Sequence, residues 1–369
     1  MDFLKGMDLS TLKEVEALGG KFYDKGIEKD VVDILKGYDV NAVRLRIWND
    51  PYTEDGKPYG AGTNDLPTTI ELARRMLGKG MEVLLDFHYS DFWADPGKQR
   101  VPKAWQGMNL EQLENAVYEY TKETLESMKR EGAMPTLVQV GNEITNGILW
   151  PYGQTPDYDS LIRLINAGIK GVRAIDLNIP IMLHLDNGGN NAIYREWFDH
   201  YMEKGEDFQI IGLSYYPFWH GSMEGLRNNM NDIAIRYGKE LMIAEVSMGF
   251  TMEDYASYEK LEPHQRKGMA TRQEVVDKID YPMTKDGQKQ FLTDIFNIIK
   301  QVPENKGRGY FYWEAAWIPV AGSGWASDEA IAYMKEKGPG GNEWANQALF
   351  DYDGNALPAL EVVRDFEFN

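Results

Sequence analysis

Cysteine is absent from all 369 residues, which excludes disulfides, thiol nucleophiles and thiolate metal sites while leaving the compartment open. Histidine is scarce, at five residues, and no HExxH or comparable spacing exists, so no catalytic metal is expected. No GxSxG turn is present to carry a serine nucleophile. No apolar run approaches the roughly 20 residues of a membrane span. Met1 is followed by Asp2, with neither a basic n-region nor an apolar stretch. This chain therefore carries no signal peptide, and is either cytoplasmic or a mature secreted protein behind a new Met. Positive charge is in deficit: 39 Lys and Arg stand against 58 Asp and Glu, a net −19. Such a charge repels nucleic acid and anionic membranes and suits a neutral or cationic ligand. Neither an internal repeat nor a low-complexity tract is found. The glycines of GPGGNE, 338–343, follow no strand, so they make a poor nucleotide cradle.

What is present is ordinary globular composition, 43% hydrophobic and 26% charged, in a chain long enough for one large core. β-rich runs alternate with helix-forming sequence. A short strand at 3–7 precedes a helix in which Thr11 and Glu14 are spaced as a capping box. Further strands begin near Asn41, Met81, Thr136, Pro180, Ile210, Glu240 and Gly309. Helices are read over 30–36, 67–77, 110–129, 158–174, 192–203 and 223–237, with another reaching 299, and Asp353-Gly354 signals a hairpin. Eight βα units argue for closure into a (β/α)8 TIM barrel, one α/β domain over 1–369. Helix-to-strand connections are short, whereas strand-to-helix connections are long and hold most of the Trp, His and Asn. In such a barrel the long loops gather on the carboxyl face, where the chemistry sits.

Two of the strands end in the same way. VQVGNEIT, 138–145, is an apolar run stopped by Gly141 and followed by Asn142 and Glu143, and ELMIAEVS, 240–247, ends on Glu245. A carboxylate at the end of a strand buried on both faces must hold a proton or a partner. The bland alternatives are a Glu that merely faces solvent, or one paired with Arg44 or Arg46, which alternate with apolar residues and point to one face of their strand. Counted as strands 4 and 7, the two exits face each other across the barrel mouth. Paired carboxylates there are the raw material of glycoside hydrolysis: a gap of about 5–5.5 Å gives retention and about 6.5–9.5 Å inversion. Ten Trp and 21 Tyr supply flat rings suited to sugar faces.

Taken together, VRLRIWNDP, DFHYSDFWADPGKQ, VQVGNEITNG, GLSYYPFWHG and YWEAAWIP resemble glycoside hydrolase family 53, the endo-β-1,4-galactanases, along nearly the whole chain from GMDLS to LFDYDG. The resemblance implies a retaining barrel with Glu143 as acid/base and Glu245 as nucleophile. It implies that Asn142 bonds the substrate 2-hydroxyl and that Arg46, His88 and Tyr216 hold the nucleophile. Trp93, Trp313, Trp317 and Trp344 become ring platforms, and His184, Asp186 and Asn187 bind sugar hydroxyls. The chain departs from the family at Val246, where Thr is usual, and at Ala315, where Pro is common; neither removes a catalytic group. Some bacterial relatives bind calcium in a loop, but the nearest stretch here, Glu262, His264 and Arg266, puts a cation where a ligand oxygen belongs. No cofactor is required by this reading. The expected substrate is neutral galactan or galacto-oligosaccharide, and family habit favours export of the native precursor. Rival readings are a β-mannanase or β-glucanase on the same barrel, or a carbohydrate-binding protein that has lost catalysis.

Overall fold

The computed structural model describes residues 3–253, 271–337 and 340–368. Eight parallel strands close on themselves: β1 Leu4–Asp8, β2 Ala42–Ile47, β3 Glu82–Phe87, β4 Leu137–Val140, β5 Ile181–Leu185, β6 Ile210–Tyr215, β7 Glu240–Val246 and β8 Gly307–Tyr312. β1 pairs with both β2 and β8, which completes the (β/α)8 barrel. The helices that follow the strands are α1 Val31–Gly37, α2 Leu66–Gly78, α3 Leu110–Arg130, α4 Tyr158–Ile175, α5 Asn191–Lys204, α6 Met223–Tyr237, α7 Lys285–Lys300 and α8 Ala359–Asp365.

Local chemistry explains most of these boundaries. Asp30, Asp65, Asp157, Asn190, Ser222 and Thr284 each accept a backbone N–H at a helix start, and Asn109 with Gln112 forms a full capping box at α3. The box expected at Thr11 and Glu14 is not formed. Thr11 instead donates to Glu314, and Glu14 accepts from the backbone of Gly62 and from Ser323, so tertiary partners outcompete the local cap. The hairpin expected at Asp353-Gly354 shrinks to a tight turn and one bridge between Phe350 and Ala356. α4 lies close against the barrel because Gly168 has no side chain; a Cβ there would stand 2.7 Å from the Tyr89 hydroxyl and 2.8 Å from Val140.

Strand alternation divides the interior into layers. Leu4, Ala42, Leu84, Leu137, Met182, Ile210, Met242, Ala244 and Phe311 fill the bottom as a dry plug. Two residues further along, roughly 7 Å nearer the carboxyl end, four of these strands carry Arg44, Asp86, Gln139 and His184, and β6 carries Ser214 four residues beyond Ile210, all buried. That polar layer is the floor of the site. Among the described residues no helix is long and apolar enough to cross a membrane.

Candidate active site

At the carboxyl face the long loops enclose a cleft of about 520 Å³ lined by Arg44, Arg46, His88, Trp93, Asn142, Glu143, Asp186, Asn187, Tyr216, Glu245, Trp313 and Trp344, among others. Glu143 and Glu245 meet at its floor, with one oxygen of each within 4.8 Å of the other. Their backbones reach this arrangement by irregular means. Glu143 leaves β4 in the left-handed region, at φ 47° and ψ 52°, just after Gly141 at φ 84°. Left-handed backbone costs a non-glycine residue about 1–3 kcal/mol and persists only where the surroundings impose it. On β7, Met242 and Ala244 face the plug, so strict alternation would turn Glu245 outward. The register with β6 jumps instead, from Leu213–Ile243 to Ser214–Glu245, and this bulge at Ala244 re-aims the carboxylate inward.

The two carboxylates have different neighbours. Glu245 forms an ion pair with Arg44, N to O 3.0 Å, and accepts from the Tyr216 hydroxyl at 2.8 Å. Glu143 accepts from Ser214 Oγ at 2.7 Å and, among the described residues, forms no ion pair with a cation. Burial raises both acids. Arg44 and Tyr216 limit Glu245 to about 7. For Glu143 the nearby charges of Glu245 and Asp186 add to burial and push it well above the usual carboxylate range. When the pair holds one proton, that proton belongs to Glu143 and the charge to Glu245. Ser214 can donate to Glu143 because it accepts from His184 Nε2 at 2.8 Å. Burial, followed by the charge on Arg44, pushes His184 well below its ordinary value and keeps it neutral.

Arg44 is the hub below. Its guanidinium reaches Asp8 at 3.0 Å, Asp86 at 2.8 Å, the Asn142 side-chain oxygen at 2.7 Å and Gln139 at 3.2 Å, besides Glu245. Asn142 is fixed at its other end by donating to Ala94 O at 2.9 Å. His88 accepts from Trp48 Nε1 and from the backbone N–H of Ala94 at Nδ1, so its Nε2 proton is donated to Asp86 at 3.0 Å.

Measured against these contacts, Asn142, Glu143, Glu245, Tyr216, Asp186, Asn187, Trp93, Trp313 and Trp344 come together in the cleft, and Tyr216 touches the carboxylate expected of it. Four expectations are corrected. The arginine on Glu245 is Arg44, while Arg46, one inward position further out, pairs with Glu314 and lies 4.4 Å over the Trp93 ring. His88 reaches Glu245 only through Asp86 and Arg44. His184 is fully buried beneath the cleft with both ring nitrogens in protein hydrogen bonds, so it cannot meet a sugar. Trp317 is also fully buried, donates to Ser323, and backs Trp313 from behind at 6.0 Å. Glu262, His264 and Arg266 lie outside the described residues. Arg44, which the sequence offers only as one of two possible partners of a glutamate, belongs to the floor, and Ser214, Trp219, His220, Glu314, Trp325 and Glu343 join the site or its floor without a sequence signal that assigns them to it. The inward phase of the Arg44 strand was the available signal for the first; Glu343 sits in the glycine-rich stretch that carried none.

Among the described residues, Glu143, His184 and Glu245 could offer a metal three ligand atoms within 4.8 Å of one another. The ring nitrogens of His184 are already committed, Nε2 to Ser214 and Nδ1 to Gln139 and the Glu143 backbone N–H, so a metal would have to break that floor.

Comparison with known proteins agrees with this geometry. The family model for glycosyl hydrolase family 53 matches residues 4–363. The chain is 39% identical to an endo-beta-1,4-galactanase of Bacillus subtilis, over 98% of this chain and 86% of that protein. It is 32% identical to an arabinogalactan endo-beta-1,4-galactanase of Humicola insolens, over 97% and 98%. Among solved structures it is similar to the Ignisphaera aggregans GH53 catalytic domain, with a TM-score of 0.90 at 40% identity, covering 98% of this chain and 96% of that one. The chain is a glycoside hydrolase, and it belongs to glycosyl hydrolase family 53.

Proposed function

We propose that the protein is a retaining endo-β-1,4-galactanase that cleaves pectic galactan side chains and the galacto-oligosaccharides derived from them, with the chain over 1–369 acting as one catalytic domain. The observation that carries the mechanism is the short gap between Glu143 and Glu245, with the cation on one side only. A gap with one oxygen of each group within 4.8 Å falls on the retaining side, well short of the roughly 6.5–9.5 Å of inverting enzymes. In the first step the Glu245 carboxylate attacks C1 while Glu143 gives its proton to the departing glycosidic oxygen. The C1–O bond breaks and a glycosyl ester forms. Glu143, now ionised, takes a proton from water as that water attacks C1, the ester breaks, and both carboxyl groups return to their starting states. Asn142, held between Arg44 and Ala94, is placed to bond the 2-hydroxyl; Trp93, Trp313 and Trp344 offer rings; Asp186 and Asn187 offer polar partners along the wall.

The chemistry needs carboxylates and water, and no step calls for a metal or cofactor. A galactan chain is neutral, in keeping with a net charge of −19 that disfavours polyanions such as nucleic acid. The relatives named as galactanases support the substrate, and a polymeric substrate fits export of the native protein. The test is hydrolysis of linear β-1,4-galactan followed by proton NMR of the anomeric signals, with mannan and cellulose substrates in parallel. The β-anomer appears first, and galactan is the preferred polymer. Initial α-anomer, or faster release from mannan or cellulose, overturns the proposal.

A further inference from the structure

The exit loop of β6 separates two hollows. Its inner side belongs to the cleft, where Tyr216, His220 and Trp219 form the wall outward from Glu245. Its outer side lines a second hollow of about 380 Å³ with Lys278, Asp280 and Tyr281. One side chain borders both, Trp219. It is 47% exposed, whereas Phe218 and His220 beside it are 1% and 7% exposed. Tyr216, Phe218 and Trp344 all meet its ring steeply, at 69°, 85° and 84°, so none of these neighbours lies flat on the indole. A large apolar ring left open at the lip of a cleft is a surface for a ligand rather than for the core.

The hollow beyond it has the make-up of a sugar site. Phe218 and Tyr281 form an apolar base, the latter anchored by its hydroxyl to Asp294 at 2.7 Å. Lys278 and Asp280 stand exposed at the rim and offer a donor and an acceptor of opposite charge. Opposed charges give little net field, so the hollow favours a neutral ligand carrying hydroxyls over an anion or a cation.

We propose that this outer hollow is a distal binding site for the same polysaccharide, whose chain crosses the Trp219 indole on its way out of the catalytic cleft. The inference rests on the galactanase reading and adds to it a site that only a long substrate reaches. It is tested by comparing wild type, Trp219→Ala and the double variant Lys278→Ala/Asp280→Ala on linear galactan and on an aryl β-galactobioside. The measured quantity is the ratio of kcat/KM on the polymer to that on the aryl disaccharide. That ratio falls about fivefold in the double variant, the effect of losing roughly one net hydrogen bond, and further in Trp219→Ala. Both rim residues are exposed, so melting temperature stays near wild type. An unchanged ratio in the double variant, or equal losses on both substrates, overturns the distal site. A wild type that cleaves neither substrate overturns the galactanase reading itself, a result distinct from either.

Discussion

Tyr216→Phe removes one oxygen from the floor of the site and leaves the ring, with its contacts to His220 at 5.4 Å and Trp344 at 5.5 Å, in place. That oxygen donates to Glu245 at 2.8 Å, a bond that favours the carboxylate over the neutral acid. A hydrogen bond to a charged group contributes about 1.5–3 kcal/mol, and at about 1.4 kcal/mol per pH unit its loss raises Glu245 by about one to two units. Glu245 is already pushed up to about 7 by burial, with Arg44 and Tyr216 opposing. Its proposed role as nucleophile requires the ionised form, so the acid limb of the pH profile moves to higher pH. The alkaline limb depends on the proton of Glu143, whose nearest donor is Ser214 rather than Tyr216, and stays where it was. The bell therefore narrows from its acid side. On that side kcat/KM falls about ten- to a hundredfold, following the same free energy. The assay is kcat/KM on galactan across the acid and neutral range, with melting temperature measured in parallel to confirm an intact fold. An acid limb that stays put, or moves to lower pH, refutes the assignment of charge to Glu245.

Glu143→Gln keeps an acceptor for Ser214 but cannot give up a proton, so activity drops about 10²–10⁴-fold, as measured by initial rates on galactan. The same variant is more stable than the parent at neutral and alkaline pH. The folded state raises Glu143 above its ordinary 4.5, and stability is lost as pH rises from there toward the folded value and the buried acid is forced to ionise. The gain in melting temperature is accordingly absent below about pH 4.5 and grows above it; an equal gain at every pH contradicts the raised acid. Trp317→Phe loses the bond to Ser323 and some packing, costing about 1–3 kcal/mol of stability with KM unchanged, whereas Trp93→Ala raises KM. A raised KM in Trp317→Phe at unchanged melting temperature would restore Trp317 as a platform.

Much of this was legible because the signals were periodic or abrupt. Eight β-rich runs, each followed by helix-forming sequence, imply a closed parallel barrel, and the long loops after the strands mark the working face. Glu143 and Glu245 stand out because a charge interrupts an apolar run. Assigning partners is harder. Arg44 and Arg46 share a face, and alternation alone does not say which stands level with Glu245; that depends on the stagger between β2 and β7, which lie on different sides of the barrel. Trp313 and Trp317 both follow β8, but one opens on the cleft and the other lies behind it, a difference of four residues in an irregular loop. The bulge at Ala244 is another such case, since a register jump leaves no mark in composition.

The polar layer explains why the two glutamates are not interchangeable. Both are buried at strand exits and both are raised, so position in the barrel does not decide which one gives the proton. What differs is the cation. Arg44 is shared by Asp8, Asp86 and Glu245, and Arg46 by Glu314 and, more distantly, Asp8. Four carboxyl groups thus face two guanidinium groups before Glu143 is counted. A further charge on Glu143 would have no counterion and would stand within 4.8 Å of Glu245. The cheapest state keeps Glu143 neutral, because burial and the charges of Glu245 and Asp186 outweigh the bond from Ser214. In the proposed mechanism the different charge states of the two glutamates are therefore set by the strand that carries Arg44.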